Sequence, residues 1–235
     1  MSRPLDIMRQ LDPHLVREQL FVLAHDEHRG GWKERLHQPA LSVGLAGAAI
    51  IDLLIDRRVH LVNQAVTVTD LYDRSVTGDA VTDGVLGLVR QRSLPLPAIL
   101  DRVAGGMYER TRGGLVHRGV LVEKPLRVLG VRLSDRVVLA HEYIAIRNRA
   151  KVVRRADGRD GPTPAADAMC VLLLALGMQD CLILPREEAD RGLNLVLQQM
   201  QATEVPEHRL LAHDIIEVAE AVQYAVHDLA TSAMS

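Results

Sequence analysis

Arginine supplies nearly all the positive charge of this chain, and where it gathers beside glycine or an aromatic ring it could hold a phosphate. Only Lys33, Lys124 and Lys151 are lysines. A guanidinium presents a planar fork of N–H donors that matches phosphate oxygens, so converging arginines make an anion site. In "YERTRGGLVHRG", Arg110 and Arg112 precede a Gly-Gly pair and could line a pocket. In "RNRAKVVRR", Arg147, Lys151, Arg154 and Arg155 spread along a helix so that several share a face. The plainer reading of that second stretch is a solvated helical surface. A third feature is the single tryptophan, Trp32, set in "RGGWKERLHQ" between two glycines and a short basic stretch.

Catalytic chemistry is harder to find. "HEYIAI" lacks the second histidine of an H-E-x-x-H pair, no G-x-S-x-G elbow or G-x-x-x-x-G-K-[ST] loop occurs, and no strand precedes "GLAGAA". The ten histidines form no tight cluster, and His213–Asp214 and His227–Asp228 are adjacent pairs that leave a helix in different directions. Cys170 and Cys181 lie in "AMCVLLL" and "QDCLILP", apolar surroundings that suit buried free thiols. The expectation is a non-enzyme with no metal and no cofactor.

Composition points to a helical binding scaffold. Hydrophobic residues are 48% of the 235 and aromatics only 3%, so the core is Leu, Val, Ile and Ala, which favours helix on helix. A formal net charge of −2 gives no global drive toward nucleic acid or anionic lipid and leaves anion binding to a local patch. "MSRPLDIMRQLDPH" lacks the basic start and apolar run of a secretory leader, so a cytoplasmic protein is expected. The apolar runs Leu36 to Ile51 and Ala168 to Gln179 fall short of the roughly 20 residues that cross a bilayer, which makes any membrane contact peripheral, at the inner face. The excess of arginine over lysine suggests a GC-rich bacterial genome.

The elements that must position these residues follow from periodicity and punctuation. A helix is expected from about Pro13 to Ala24, capped by Asp12, and a second from about Pro39 to Asp56, whose Ala40, Gly44, Gly47 and Ala48 admit another helix closely. "RRVHLVNQAVTVTD" suggests a hairpin around Asn63–Gln64. Thr82 or Asp79 caps a helix to about Gln91, one further helix weakened by Gly105 and Gly106 follows, and a second hairpin comes after it. A helix then leads into a flexible Gly/Pro loop at about 156–164. Three helices close the chain, about Pro164–Gln179, Glu187–Gln201 and Leu210–Ser232, the last placing Ile215, Val218, Val222 and Leu229 near one face. The fold class is mainly α: residues 1–235 as a single domain, with a central helix bundle surrounded by amphipathic helices, plus short β-hairpins. Helix-then-hairpin units also have the outline of a winged-helix nucleic-acid regulator, which the near-neutral charge and the lack of a basic recognition helix oppose. A ligand-free oligomeric scaffold is a further alternative.

The chain resembles the Golgi phosphoprotein 3 (GPP34) family, as a bacterial member. The resemblance starts in "LVREQLFVLAHDEHRGGW" and continues in "SVGLAGAAIIDLLIDRRVHL", similar to the family's S-G-L-R-G-G-x-L-x-E-L-x-x-x-G-R-I-x-L. "TGDAVTDGVL" is similar to T-G-D-x-x-L-D-E-x-L, "LVHRGVLVEK" to L-V-E-K-G-I-L, and "AMCVLLLALGMQDCL" fits a later apolar helix. The resemblance implies a mostly helical domain, a hairpin that supports homo-oligomers, and a non-catalytic, peripheral membrane adaptor of the kind that binds phosphatidylinositol 4-phosphate.

Family members grip the headgroup phosphate with a loop tryptophan, the arginine of S-G-L-R-G-G, and two arginines on the helix before L-V-E-K-G. Here Ala46 replaces the first arginine, the two helix positions fall on Gly105 and Tyr108, and the tryptophan column falls on His37, five residues beyond Trp32. Arg110 and Arg112 lie near the helix positions and, relocated together with Arg35, could replace the missing arginines, so the candidate ligand set is Trp32, Arg35, His37, Arg110 and Arg112. It would take an anionic phospholipid headgroup or another phosphorylated ligand.

Overall fold

The computed structural model describes residues 13–26, 33–70, 72–128 and 131–232. In chain order these form α1 (Val16–Leu23), β1 (His25–Asp26), β2 (Lys33–Glu34), α2 (Gln38–Ile55), β3 (Val59–Val62), β4 (Ala65–Val68), α3 (Ala80–Gln91) and β5 (Leu94–Pro95). Then come α4 (Leu96–Ala104), α5 (Met107–His117), β6 (Leu121–Val128), β7 (Val131–Leu139), α6 (Tyr143–Ala156), α7 (Pro164–Ala175), a 3-10 turn (Gln179–Leu182), α8 (Arg186–Gln201) and α9 (Pro206–Ser232). The fold is mainly α with short antiparallel hairpins, as composition and pattern predict.

Helix α2 is the axis of the bundle. From Ala40 to Leu54 every residue except Ser42 is buried, and α1, α3, α4, α5, α7 and α9 all pack on it. It continues past Ile51 to take in Asp52, so at 18 residues it is long and apolar enough to cross a membrane by length and composition, yet 78% of it is buried in protein. Its small residues do what their spacing predicts. A Cβ on Gly47 would lie 2.3 Å from Val222 Cγ2 of α9, and one on Gly44 would lie 2.8 Å from Leu176 Cδ1.

Two local expectations change. The N-cap of α1 is Leu15, which makes no side-chain cap bond, and Asp12 lies outside the described residues. The start of α1 is capped from another helix: Asp52 Oδ1 accepts the Val16 N–H at 2.8 Å and Oδ2 accepts that of Arg17 at 3.3 Å. Burial pushes the Asp52 carboxyl up to about 7, against the pull of the Val16 amide and the Arg17 charge. The helix expected around Gly105 and Gly106 is instead two, because Gly106 takes φ +72° and turns the chain between α4 and α5.

Elsewhere the punctuation holds. Asn63 and Gln64 both take positive φ, 50° and 60°, as a two-residue hairpin turn requires, and β5 adds a third strand to that pair. Asp79 caps α3 by accepting the Thr82 N–H at 2.8 Å. Helix α7 stops earlier than expected because Gly177, at φ +64°, breaks it ahead of the 3-10 turn. Helix α9 begins earlier than expected, at Pro206.

Candidate ligand groove

The arginines singled out in the sequence do not converge. Arg110 turns back along its own helix: Nη2 donates to the carbonyls of Val103 at 2.9 Å and Gly105 at 2.8 Å, and Nε to that of Gly106 at 3.3 Å. It thereby satisfies carbonyls that α4 leaves without intrahelical donors. Arg112, two positions on and so directed away from Arg110, pairs with Glu109 at 3.4 Å and with Glu123 of β6 at 3.6 Å. The Arg35 amide donates to the Ala24 carbonyl at 2.8 Å, and the Arg35 charge falls near Cys181. His37 is the exposed N-cap of α2. Trp32 lies outside the described residues.

The positions where the resemblance expects arginine are equally informative. Ala46 is fully buried in α2. Tyr108 is buried as well, its hydroxyl 3.1 Å from His25 Nε2 and its ring 5.1 Å from that of Phe21. His25 Nδ1 lies 2.6 Å from the Phe21 carbonyl, which makes it the donor there. Desolvation lowers the His25 imidazole to about 4, only partly offset by that bond. Burial, and then a hydrogen bond with Glu34, push the Tyr108 phenol up. Both groups therefore sit in the fold in their neutral forms.

Gly105 alone of these positions faces open space. It stands at one end of a groove of about 940 Å³ running between α4 and the C-terminal half of α9, across the start of α2. The floor is apolar, with Val43, Leu96, Leu100 and Ala225 among its residues. Asp101, Glu217, Glu220 and Asp228 stand around it, and among the described residues that line it there is no lysine, arginine or histidine. Tyr224, 74% exposed, and Leu229, 39% exposed, project at the same surface. Leu229 was expected with Ile215, Val218 and Val222, but those three are buried against the bundle while Leu229 belongs to the groove.

Of these acids only Asp228 stands out in the sequence, as the neighbour of His227. Their signal was present on α9, where Glu217, Glu220, Tyr224 and Asp228 recur at helical spacing and so share a face. Asp101 comes from α4, and only packing brings it opposite.

Other charged groups are absorbed by the architecture. Arg17, 1% exposed, donates to Thr111 Oγ1 at 2.9 Å and to Asp79 Oδ1 at 2.7 Å. That contact explains "TGD": Gly78, at φ +88°, turns the chain so that Asp79 both caps α3 and receives Arg17. Partial burial raises the Asp79 carboxyl, but the Arg17 charge and the Thr82 donors outweigh it and hold it below its ordinary value. Glu18 pairs with Arg118 at 2.5 Å. In the basic stretch of α6, Arg155 is buried on Asp167 at 2.5 Å and Gln199 at 3.0 Å, Arg154 is bidentate to Asp160, and Arg149 Nε donates to the Cys181 carbonyl at 2.7 Å.

His213 and Asp214, expected to diverge, come within 3.9 Å of each other, with Glu217 4.0 Å from the same imidazole. Asp214 is buried and its Oδ2 accepts the Leu61 amide at 3.2 Å, which ties α9 to the first hairpin. Burial pushes the Cys170 and Cys181 thiols up to about 12 and about 11, which leaves both as inert core residues.

Helices wrapped around one buried axial helix, with hairpins at the edge, define a mainly α scaffold with a groove along its side. The model of the Golgi phosphoprotein 3 (GPP34) family matches residues 16–229, nearly the whole chain, and the chain belongs to that family. No curated protein matches it.

Proposed function

We propose that the chain is a non-catalytic adaptor of the cytoplasm that holds a partner in the groove between α2, α4 and α9. In this reading it reaches a membrane surface through that partner and not by gripping an anionic headgroup. The observation that carries the reading is the lining of the groove. Gly105 on its rim and His37 at the start of α2 mark the region where the family resemblance puts the headgroup, yet four carboxylates line the groove, and the Arg110 guanidinium beside Gly105 is turned onto backbone carbonyls. A phosphate gains affinity from several charge-assisted donors, each contributing about 1.5–3 kcal/mol, and carboxylates in their place repel it. Arg110 and Arg112 are committed to carbonyls and to glutamates.

Co-sedimentation with phosphatidylcholine vesicles, plain or doped with phosphatidylinositol 4-phosphate or phosphatidylglycerol, tests this. At roughly 0.15 M salt, where only close charge contacts persist, the pelleted fraction should be the same for all three. Pelleting that depends on phosphatidylinositol 4-phosphate would overturn the adaptor reading in favour of a headgroup site.

A further inference from the structure

The geometry points to the kind of partner: we infer that the groove receives an amphipathic helix of another protein, its apolar stripe on the floor and lysines or arginines beside that stripe facing the acidic rim. This inference rests on the adaptor reading above and makes it specific.

Charge comes first. Asp101 stands on α4, and Glu217, Glu220 and Asp228 stand on α9, so carboxylates flank an apolar floor from both helices. Among the described residues no lysine or arginine pairs with any of the four. Carboxylates that hold the fold together elsewhere in this molecule, such as Asp79, Asp160 and Asp167, each have an arginine within hydrogen-bond distance. The groove acids have none, so the complementary charge is left for a ligand to bring. Unlike signs facing each other across an interface steer encounter and select partners.

Shape then selects a helix. The acidic line on α9 from Glu217 to Asp228 covers twelve residues, about 16 Å of helix axis, or three turns. A partner helix of three turns lying between α4 and α9 would offer apolar side chains at i, i+3/i+4 and i+7 to the floor. An extended peptide would need an open strand edge to pair with, and the sheet contributes only Gln64, a turn residue, to this lining. A small cation would leave the exposed apolar surface of Pro39, Pro97, Tyr224 and Leu229 uncovered. Tyr224, large, exposed and carrying both an apolar ring and a hydroxyl, is placed as an anchor of the kind that dominates interface energy.

Fluorescence anisotropy with the full chain tests the inference, using three labelled model peptides. One is a three-turn helix with a leucine stripe flanked by lysines, the second has the same stripe flanked by glutamates, and the third is a scramble of the first that keeps its charge but loses the stripe. The lysine peptide should bind at least about tenfold tighter than either control. The pair Glu220→Lys and Asp228→Lys should weaken it by about the same factor with circular dichroism and melting unchanged. Equal binding of the scramble or of the glutamate peptide, no binding of the lysine peptide at low salt, or no response to the charge reversal would each overturn the inference. All of these results leave the vesicle result standing. Conversely, vesicle binding that requires phosphatidylinositol 4-phosphate would overturn the adaptor reading itself, whatever the peptides do.

Discussion

Acidic groups occur in two settings in this molecule, under the start of α1 and along the groove beside α9, and the contrast between them separates what builds the fold from what is offered to a ligand. Around α1, Glu18, Asp52 and Asp79 meet Arg118, two backbone amides and Arg17. Every one of these contacts joins elements far apart in sequence. Along the groove, Asp101, Glu220 and Asp228 are exposed and make no ion pair among the described residues. A buried charge without its partner is costly, so selection for folding suffices to explain the first set. Nothing in the folding of the chain requires the second set to be acidic.

Three measurements sharpen or break that contrast. The largest effect is expected at Arg17. Arg17→Met would leave the half-buried Asp79 carboxylate without its cation and the buried Thr111 hydroxyl without its donor, and should cost about 3 kcal/mol in urea unfolding. Arg17→Met combined with Asp79→Asn should recover part of the loss. A single-variant loss below about 1 kcal/mol would place this cluster with ordinary surface charges.

The next effect is a pH dependence at His25, whose imidazole desolvation lowers from 6.5 to about 4. Below about 6.5 the unfolded chain takes up a proton that the folded chain refuses, so His25 removes stability as pH falls to about 4 and changes nothing further below that. Asp52 works in the opposite sense: raised to about 7, it stabilises the fold at low pH and gives this up as pH rises through 7. Comparing wild type with His25→Gln isolates the histidine. The advantage of wild type should shrink by on the order of 2–3 kcal/mol between pH 7 and pH 4, and a gap that stays constant with pH would show that His25 is not held neutral.

The smallest effect belongs to the groove. Asp101→Lys and Glu220→Lys should each change unfolding free energy by no more than about 0.5 kcal/mol, as exposed substitutions away from special contacts do. A loss of several kcal/mol at either position would dissolve the contrast by making the rim structural.

The sequence by itself determined the mainly helical class, through an aliphatic core and a 3.6-residue period, and it determined the family, through motifs in order along most of the chain. It also marked the Asn63–Gln64 turn, the Asp79 cap and the close approach at Gly44 and Gly47, because backbone conformation and side-chain size are local properties. Only the tertiary structure decided what each charge does. Arg110 and Arg112 look alike in "YERTRGG", yet one closes the end of α4 and the other pairs across to β6. Asp52 caps a helix that starts 36 residues before it, so no local pattern could assign it. The groove itself is made by α4 and α9, more than a hundred residues apart, and its acidic character exists only once packing sets Asp101 across from the acidic line of α9. Charge acts through space, whereas spacing along a chain reports only neighbours on the same element.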